Sequence, residues 1–197
     1  MVDHDNPDHS REDLESLAKR IIADHMRFVC ADKALMLWNK RCQGHCNESA
    51  DDTELYSSIT TRKRIMSLIE KENTDEAFRI CEDLKLFDLG IENETLVKEA
   101  LSKLVFVDLL RAGRHVEAIR FARTFMNDEN ENDRLFTLIG YKDVDDPRFH
   151  EIADSIRREN VMEVLNKHLF RKEVGRELSL LSLALSHYNS ILKYQRK

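Results

Sequence analysis

Glycine and proline are scarce in this chain, with five of the first and two of the second among 197 residues. A fold rich in tight turns needs more of both, so its connections are expected to be few and short. No segment alternates apolar and polar residues for long enough to read as a half-buried strand. Pro7 stands near the start, and Pro147 is the only proline beyond it.

A basic excess is missing too. The net charge is −6. No stripe of Lys and Arg is available to displace counterions from phosphate, which argues against a nucleic-acid partner. The longest basic cluster, Arg62-Lys63-Arg64, has mixed neighbours and reads as a charged helix face. No uncharged apolar run approaches the ~18 residues of a membrane span. The opening residues, MVDHDNPDHSRED, lack the basic and apolar regions of a signal peptide. Residues 1–10 are expected to be a disordered tail, and the protein to be cytoplasmic and nuclear. In such a reducing compartment Cys30, Cys42, Cys46 and Cys81 stay thiols.

Charged residues make up 35% of the chain, above the usual ~25% of globular domains. That suits helices with solvated outer faces. Apolar residues recur at helical spacing. Leu14, Leu17, Ile21, Ile22 and Met26 mark a helix over 11–29; Ala34, Leu35 and Trp38 mark one over 32–42. A third holds Leu55, Ile59, Ile65, Met66 and Ile69. Asn73 and Glu76 are spaced as a capping box for a helix carrying Ala77, Ile80, Cys81, Leu84 and Phe87, ended by the LGIEN segment. Residues 94–111 are apolar over much of their circumference, so that helix is buried or partnered. Gly113 is placed to end it in the left-handed region, before a helix over 115–126. A short helix ends at Gly140, and helical stretches follow over 148–159, 160–170 and 176–196. The last has Leu178, Leu181, Leu185, Tyr188 and Leu192 at spacings of three and four, a helix-pairing seam that Leu180, Leu183 and Ile191 widen. The fold class is all-α: a compact antiparallel helical bundle of about nine or ten helices.

Candidate chemistry is sparse. Cys42, His45 and Cys46 resemble part of a zinc site, but zinc needs four ligands, usually in two separated pairs, and the second pair is missing. Cys81 falls on an apolar helix face and reads as a core thiol. There is no GxSxG elbow and no phosphate-binding GxxxxGK. Asp143, Asp145 and Asp146 lack EF-hand spacing and read as a solvated turn. No catalytic residue, metal or cofactor is assigned. The residues point to helix surfaces that bind other proteins.

Three segments resemble the LisH–CTLH–CRA family, over nearly the whole chain after the tail. In LAKRIIADHMRFVCADKALMLWNK, residues Ile21, Ile22, Met26, Ala34 and Trp38 stand where LisH motifs have paired aliphatics, an aliphatic, an alanine and an aromatic. His25 and Cys30 stand where Tyr and Gly are usual. RKRIMSLIEKENTDEAFRICEDL and KLVFVDLLRAGRHVEAIRFARTFM are similar to the two CTLH hairpins. LFTLIGYKDVDDPRFHEIADSIRRENVMEVLN is similar to the CRA layout, with Phe149, Ile152, Ile156, Arg158, Val161 and Asn166 in place. There Pro147 would end helical continuation, and Phe149 would enter the core at the next helix start.

The resemblance implies a LisH-like dimerisation segment over 11–46 and CTLH-like helices over 53–115. It also implies CRA-like helices over 116–197 that pack back on the LisH-like segment. It implies a non-catalytic scaffold subunit of a GID/CTLH-type E3 ubiquitin ligase, acting in proteasomal degradation. Its partners would be other LisH–CTLH–CRA proteins, including RING-bearing subunits, and an armadillo-repeat subunit, in a homo- or hetero-oligomer without nucleic acid or membrane. The interface would use Leu17, Ile21, Ile22, Met26, Trp38, Leu181, Leu185, Tyr188 and Leu192. The alternative is a stand-alone dimeric adaptor of the same fold outside any ligase. A third class, a helical enzyme dependent on metal at Cys42, His45 and Cys46, would need stoichiometric zinc.

Overall fold

The computed structural model describes residues 7–43, 50–87, 94–126, 132–141 and 146–195. These form ten α-helices and one 3-10 turn, with no strand among the described residues. The all-α expectation therefore holds. The helices are α1 (Pro7–Phe28), α2 (Asp32–Gln43), α3 (Ala50–Glu70), α4 (Thr74–Asp83) and α5 (Glu94–Arg111). They continue as α6 (His115–Phe125), α7 (Asp133–Phe136), α8 (Pro147–Ala153), α9 (Arg158–Val174) and α10 (Leu180–Gln195). The 3-10 turn, Thr137–Gly140, follows α7 directly. The chain divides into two units, one of residues 1–62 with 170–197 and one of residues 63–169.

The second unit owns the large apolar core. The buried cluster runs from Ile65 to Leu169 and centres on α5, where every residue from Leu104 to Leu110 is buried. This settles why α5 is apolar all round. Its neighbours within the unit cover it over 97–111, while Leu96 near its start is exposed. Phe78 packs edge-on against Phe121 and Phe125, with ring centroids 5.0 and 4.8 Å away. Offset and edge-on arrangements of this kind add to simple burial.

Turns close these helices as chemistry requires. Gly113 sits at φ 72° and ends α5, with Arg114 N–H donating to Leu109 C=O at 2.9 Å. Pro147 opens α8 while the Asp146 carboxylate accepts from Arg148 N–H at 2.8 Å, and Phe149 is buried one turn in. The interior proline therefore starts a helix whose aromatic fills the core, as expected. Asp143 and Asp145 of that turn, like the LGIEN segment, lie outside the described residues.

Several local expectations are corrected. Asn73 does not cap α4 by accepting; its side-chain amide donates to Glu76 Oε2 at 2.7 Å. The preceding Glu72 is left-handed (φ 62°) and Asn73 lies at ψ 53°, outside the extended region an accepting cap needs. The fourth helix stops at Asp83 because Lys85 turns left-handed (φ 50°), which leaves Leu84 exposed and returns Phe87 to the core. The break expected between 159 and 160 lies instead at 154–157, between α8 and α9. The first helix starts at Pro7, ahead of Arg11, with proline at its first position. The last starts at Leu180, after bends at 175–178.

Candidate protein-interaction surface

The first unit contains α1, α2, the start of α3, the last turn of α9 and α10. Among its described residues only three large apolar side chains are buried, Leu35, Ile59 and Phe170. Polar groups do much of the holding. Arg62, 2% exposed, donates to Arg27 C=O at 2.6 Å and pairs with Glu173 at 3.3 Å. Buried Asp24 pairs with Arg176 and accepts from Leu180 N–H at 2.6 Å. That carboxylate sits at the positive end of α10 and fixes where the helix begins. Both guanidiniums lie over the Phe170 ring, 5.3 and 5.8 Å from its centroid, and Phe28 meets it edge-on at 5.1 Å. Arg62 is therefore no solvated face residue, unlike exposed Lys63 and Arg64. An isolated buried guanidinium is costly, and here two carbonyls, a carboxylate and an aromatic face receive it.

Sequence reasoning missed this framework. Arg62 and Glu173 are remote in sequence and look like ordinary charges on amphipathic helices. The signal available was weak: Arg62 stands three residues after Ile59 and three before Ile65, on the apolar side of α3.

Apolar side chains line the outside of the same unit. Ten of the fourteen large apolar side chains exposed among the described residues belong to it. Of the expected interface residues, Leu17 (46% exposed), Ile22, Leu185 (53%) and Tyr188 are exposed. Ile21, Met26, Trp38, Leu181 and Leu192 are half-buried, and none is a fully buried core residue. α1 packs against both α2 and α10, so the three helices that carry these residues adjoin. Met36 and Leu37 join the exposed set without having been expected. The run Ala34-Leu35-Met36-Leu37-Trp38 puts apolar residues right round one helix, and only Leu35 reaches the interior.

α10 is the clearest case. All nine residues from Leu183 to Ile191 are exposed, although Leu183, Leu185, Tyr188 and Ile191 are large and apolar. Large apolar side chains left in water along one helix are the kind of surface that a partner can cover. The charge nearby is modest: Glu15 pairs with Lys19 on α1 and pushes the Lys19 amine above its ordinary value. Cys42 is a free, half-buried thiol; His45 and Cys46 lie outside the described residues. Among the described residues no three His, Cys, Asp or Glu are grouped to hold a metal ion, and no helix is long and apolar enough to cross a membrane.

The CTLH family, described as the CTLH/CRA C-terminal to LisH motif domain, matches residues 58–196. No curated protein and no solved structure matches. The LisH-like segment, 11–46, falls outside the matched residues, whereas α4 to α10 fall within them. A CTLH domain is a protein-interaction domain, in keeping with the apolar surface of α10. With most of its length matched, the chain belongs to the CTLH family of LisH–CTLH–CRA proteins.

Proposed function

We propose that the chain is a non-catalytic scaffold subunit of a GID/CTLH-type E3 ubiquitin ligase. It pairs with other LisH–CTLH–CRA proteins, RING-bearing subunits among them, through helix-on-helix contacts of α1, α2 and α10. An armadillo-repeat subunit is a further partner, and the assembly works in cytoplasm and nucleus. The observation that carries this reading is the uncovered apolar run of α10 in a CTLH-family chain. A helix apolar on more than one face gains about 25 cal/mol for each Å² that a partner removes from water.

The test uses Leu17→Asp and Leu185→Asp in full-length tagged protein, purified from native extract and analysed by mass spectrometry. RING-bearing CTLH proteins and an armadillo-repeat protein should co-purify with the parent chain and be lost with Leu185→Asp. Circular dichroism should be unchanged, because both side chains are about half exposed. Recovery of the chain only with itself would favour the stand-alone dimeric adaptor. Unfolding of both variants would place these residues in the core and end the interface reading.

A further inference from the structure

A second feature lies wholly within the second unit, far in sequence from α1 and α10. A cleft of about 420 Å³ runs between α5, α7, α8 and the start of α9. That volume is within the roughly 300–1,000 Å³ of ligand sites. Its floor is apolar, built by Ala100, Leu135, Ile152, Ile156 and Val161, and Leu96 stands exposed at its edge. Among the described residues Lys103, Arg134 and Arg157 line its rim with one acid, Glu99, which is tied to Lys103. The Arg134 side chain is engaged, among the described residues, only by Glu151, in a pair whose side chains are both 69% exposed. Such a pair is worth little and exchanges readily for a better-placed acid. Arg157 is exposed just ahead of α9, whose amino end carries a partial positive charge that Glu159 in its first turn offsets in part.

We propose that this cleft docks a short peptide segment of a partner protein in which apolar residues are flanked by acids. The floor takes the apolar side chains, and Arg134 and Arg157 receive the flanking carboxylates. Charge complementarity decides the occupant: Arg157 and the weakly paired Arg134 offer positive charge beside the apolar floor of a chain that carries −6 overall. A nucleic-acid strand fits less well, because the floor is aliphatic and no aromatic stacks there. The proposal goes beyond the scaffold reading and does not depend on it, since no residue of α1, α2 or α10 takes part.

The experiment measures fluorescence anisotropy of a labelled peptide, EELLEEFLEE, titrated with the full chain. Its counterpart with every Glu replaced by Lys is the control. The acidic peptide should bind with a Kd of about 10–100 µM, and the lysine peptide at least tenfold more weakly. The double variant Arg134→Glu with Arg157→Glu should lose at least tenfold for the acidic peptide and gain for the lysine peptide. Both side chains are exposed, so its circular dichroism should match the parent. Equal binding of the two peptides, no binding at about 1 mM, or a double variant that binds as the parent does would each overturn the proposal. So would a double variant whose only change is weaker self-association, which would assign the cleft to a second copy. Leu185→Asp should leave peptide binding intact, which separates this result from the fate of the scaffold reading.

Discussion

Arg158 and Asp108, fifty residues apart, meet through both terminal nitrogens of the guanidinium, at 3.0 and 2.8 Å from the two carboxylate oxygens. The same guanidinium donates to Ile69 C=O at 2.7 Å, and Thr74 donates to Asp108 at 2.9 Å. One fork thus ties α9 to α5 and to the α3–α4 hairpin. Asp108 is buried and Arg158 nearly so, which makes removal of one partner costly. Asp108→Asn should lower stability by about 3 kcal/mol in urea unfolding. Glu151→Gln, which breaks the exposed pair with Arg134, should stay within about 0.5 kcal/mol. Similar losses in the two variants would refute this account of the fork.

Two helix ends of the second unit use the same left-handed turn with different residues. Gly113 ends α5 at φ 72°, and Lys85 follows α4 at φ 50°. A side chain in that region costs about 1 kcal/mol, while glycine does not. Gly113→Ala should therefore destabilise by about 1 kcal/mol and Lys85→Gly should stabilise by a similar amount. Thermal unfolding of the two variants checks the signs, and a Lys85→Gly variant that melts earlier would contradict the argument.

The three described thiols differ in burial. Cys81 is fully buried, and that burial, with nearby Glu82, pushes its thiol up to about 12. Cys30 and Cys42 are half-buried. At pH 8 a maleimide should label Cys30 and Cys42 within minutes and Cys81 only on unfolding, as mass-mapped peptides would show. The folded value lies above the unfolded one, so the stability from keeping Cys81 neutral is complete below about 8.5 and declines as pH rises toward 12. Cys81→Ala should flatten that alkaline decline; an unchanged slope would assign it elsewhere.

Two residues of α2, separated only by Met36, make the sharpest contrast. Leu35 is 0% exposed and Leu37 is 70% exposed. Leu35→Ala should cost about 2–4 kcal/mol, because the first unit has few other buried apolar side chains to take up the loss. Leu37→Ala should change stability by less than about 0.5 kcal/mol. Chemical denaturation of both decides it, and equal effects would mean that the burial pattern of α2 is different.

Period and punctuation carried the helices well. α5 falls on its expected bounds because both ends are marked, by polar residues before it and by Gly113 after it. Pro147 and Phe149 also behave as their positions dictate. What was not legible is what depends on distant residues. Asp24 caps α10 from 156 residues away, so no local signal marks Leu180 as its start. The left-handed turns at Cys30, Glu72 and Lys85 carry no glycine to announce them. For the interface, the sequence showed apolar stripes but could not say which were covered. The stripe on α5 is buried in its own unit, while that on α10 stays in water. Only packing distinguishes the two.

A helix of sixteen residues with nine of them uncovered is marginal in water when left to itself. Were α10 the surface that the proposed partners cover, the fraction of chains with it intact would rise with their concentration, since ligation and ordering share one equilibrium. In the proposed scaffold role, an unassembled copy would be distinguished by the helix that assembly covers, with no dedicated sensor of subunit balance.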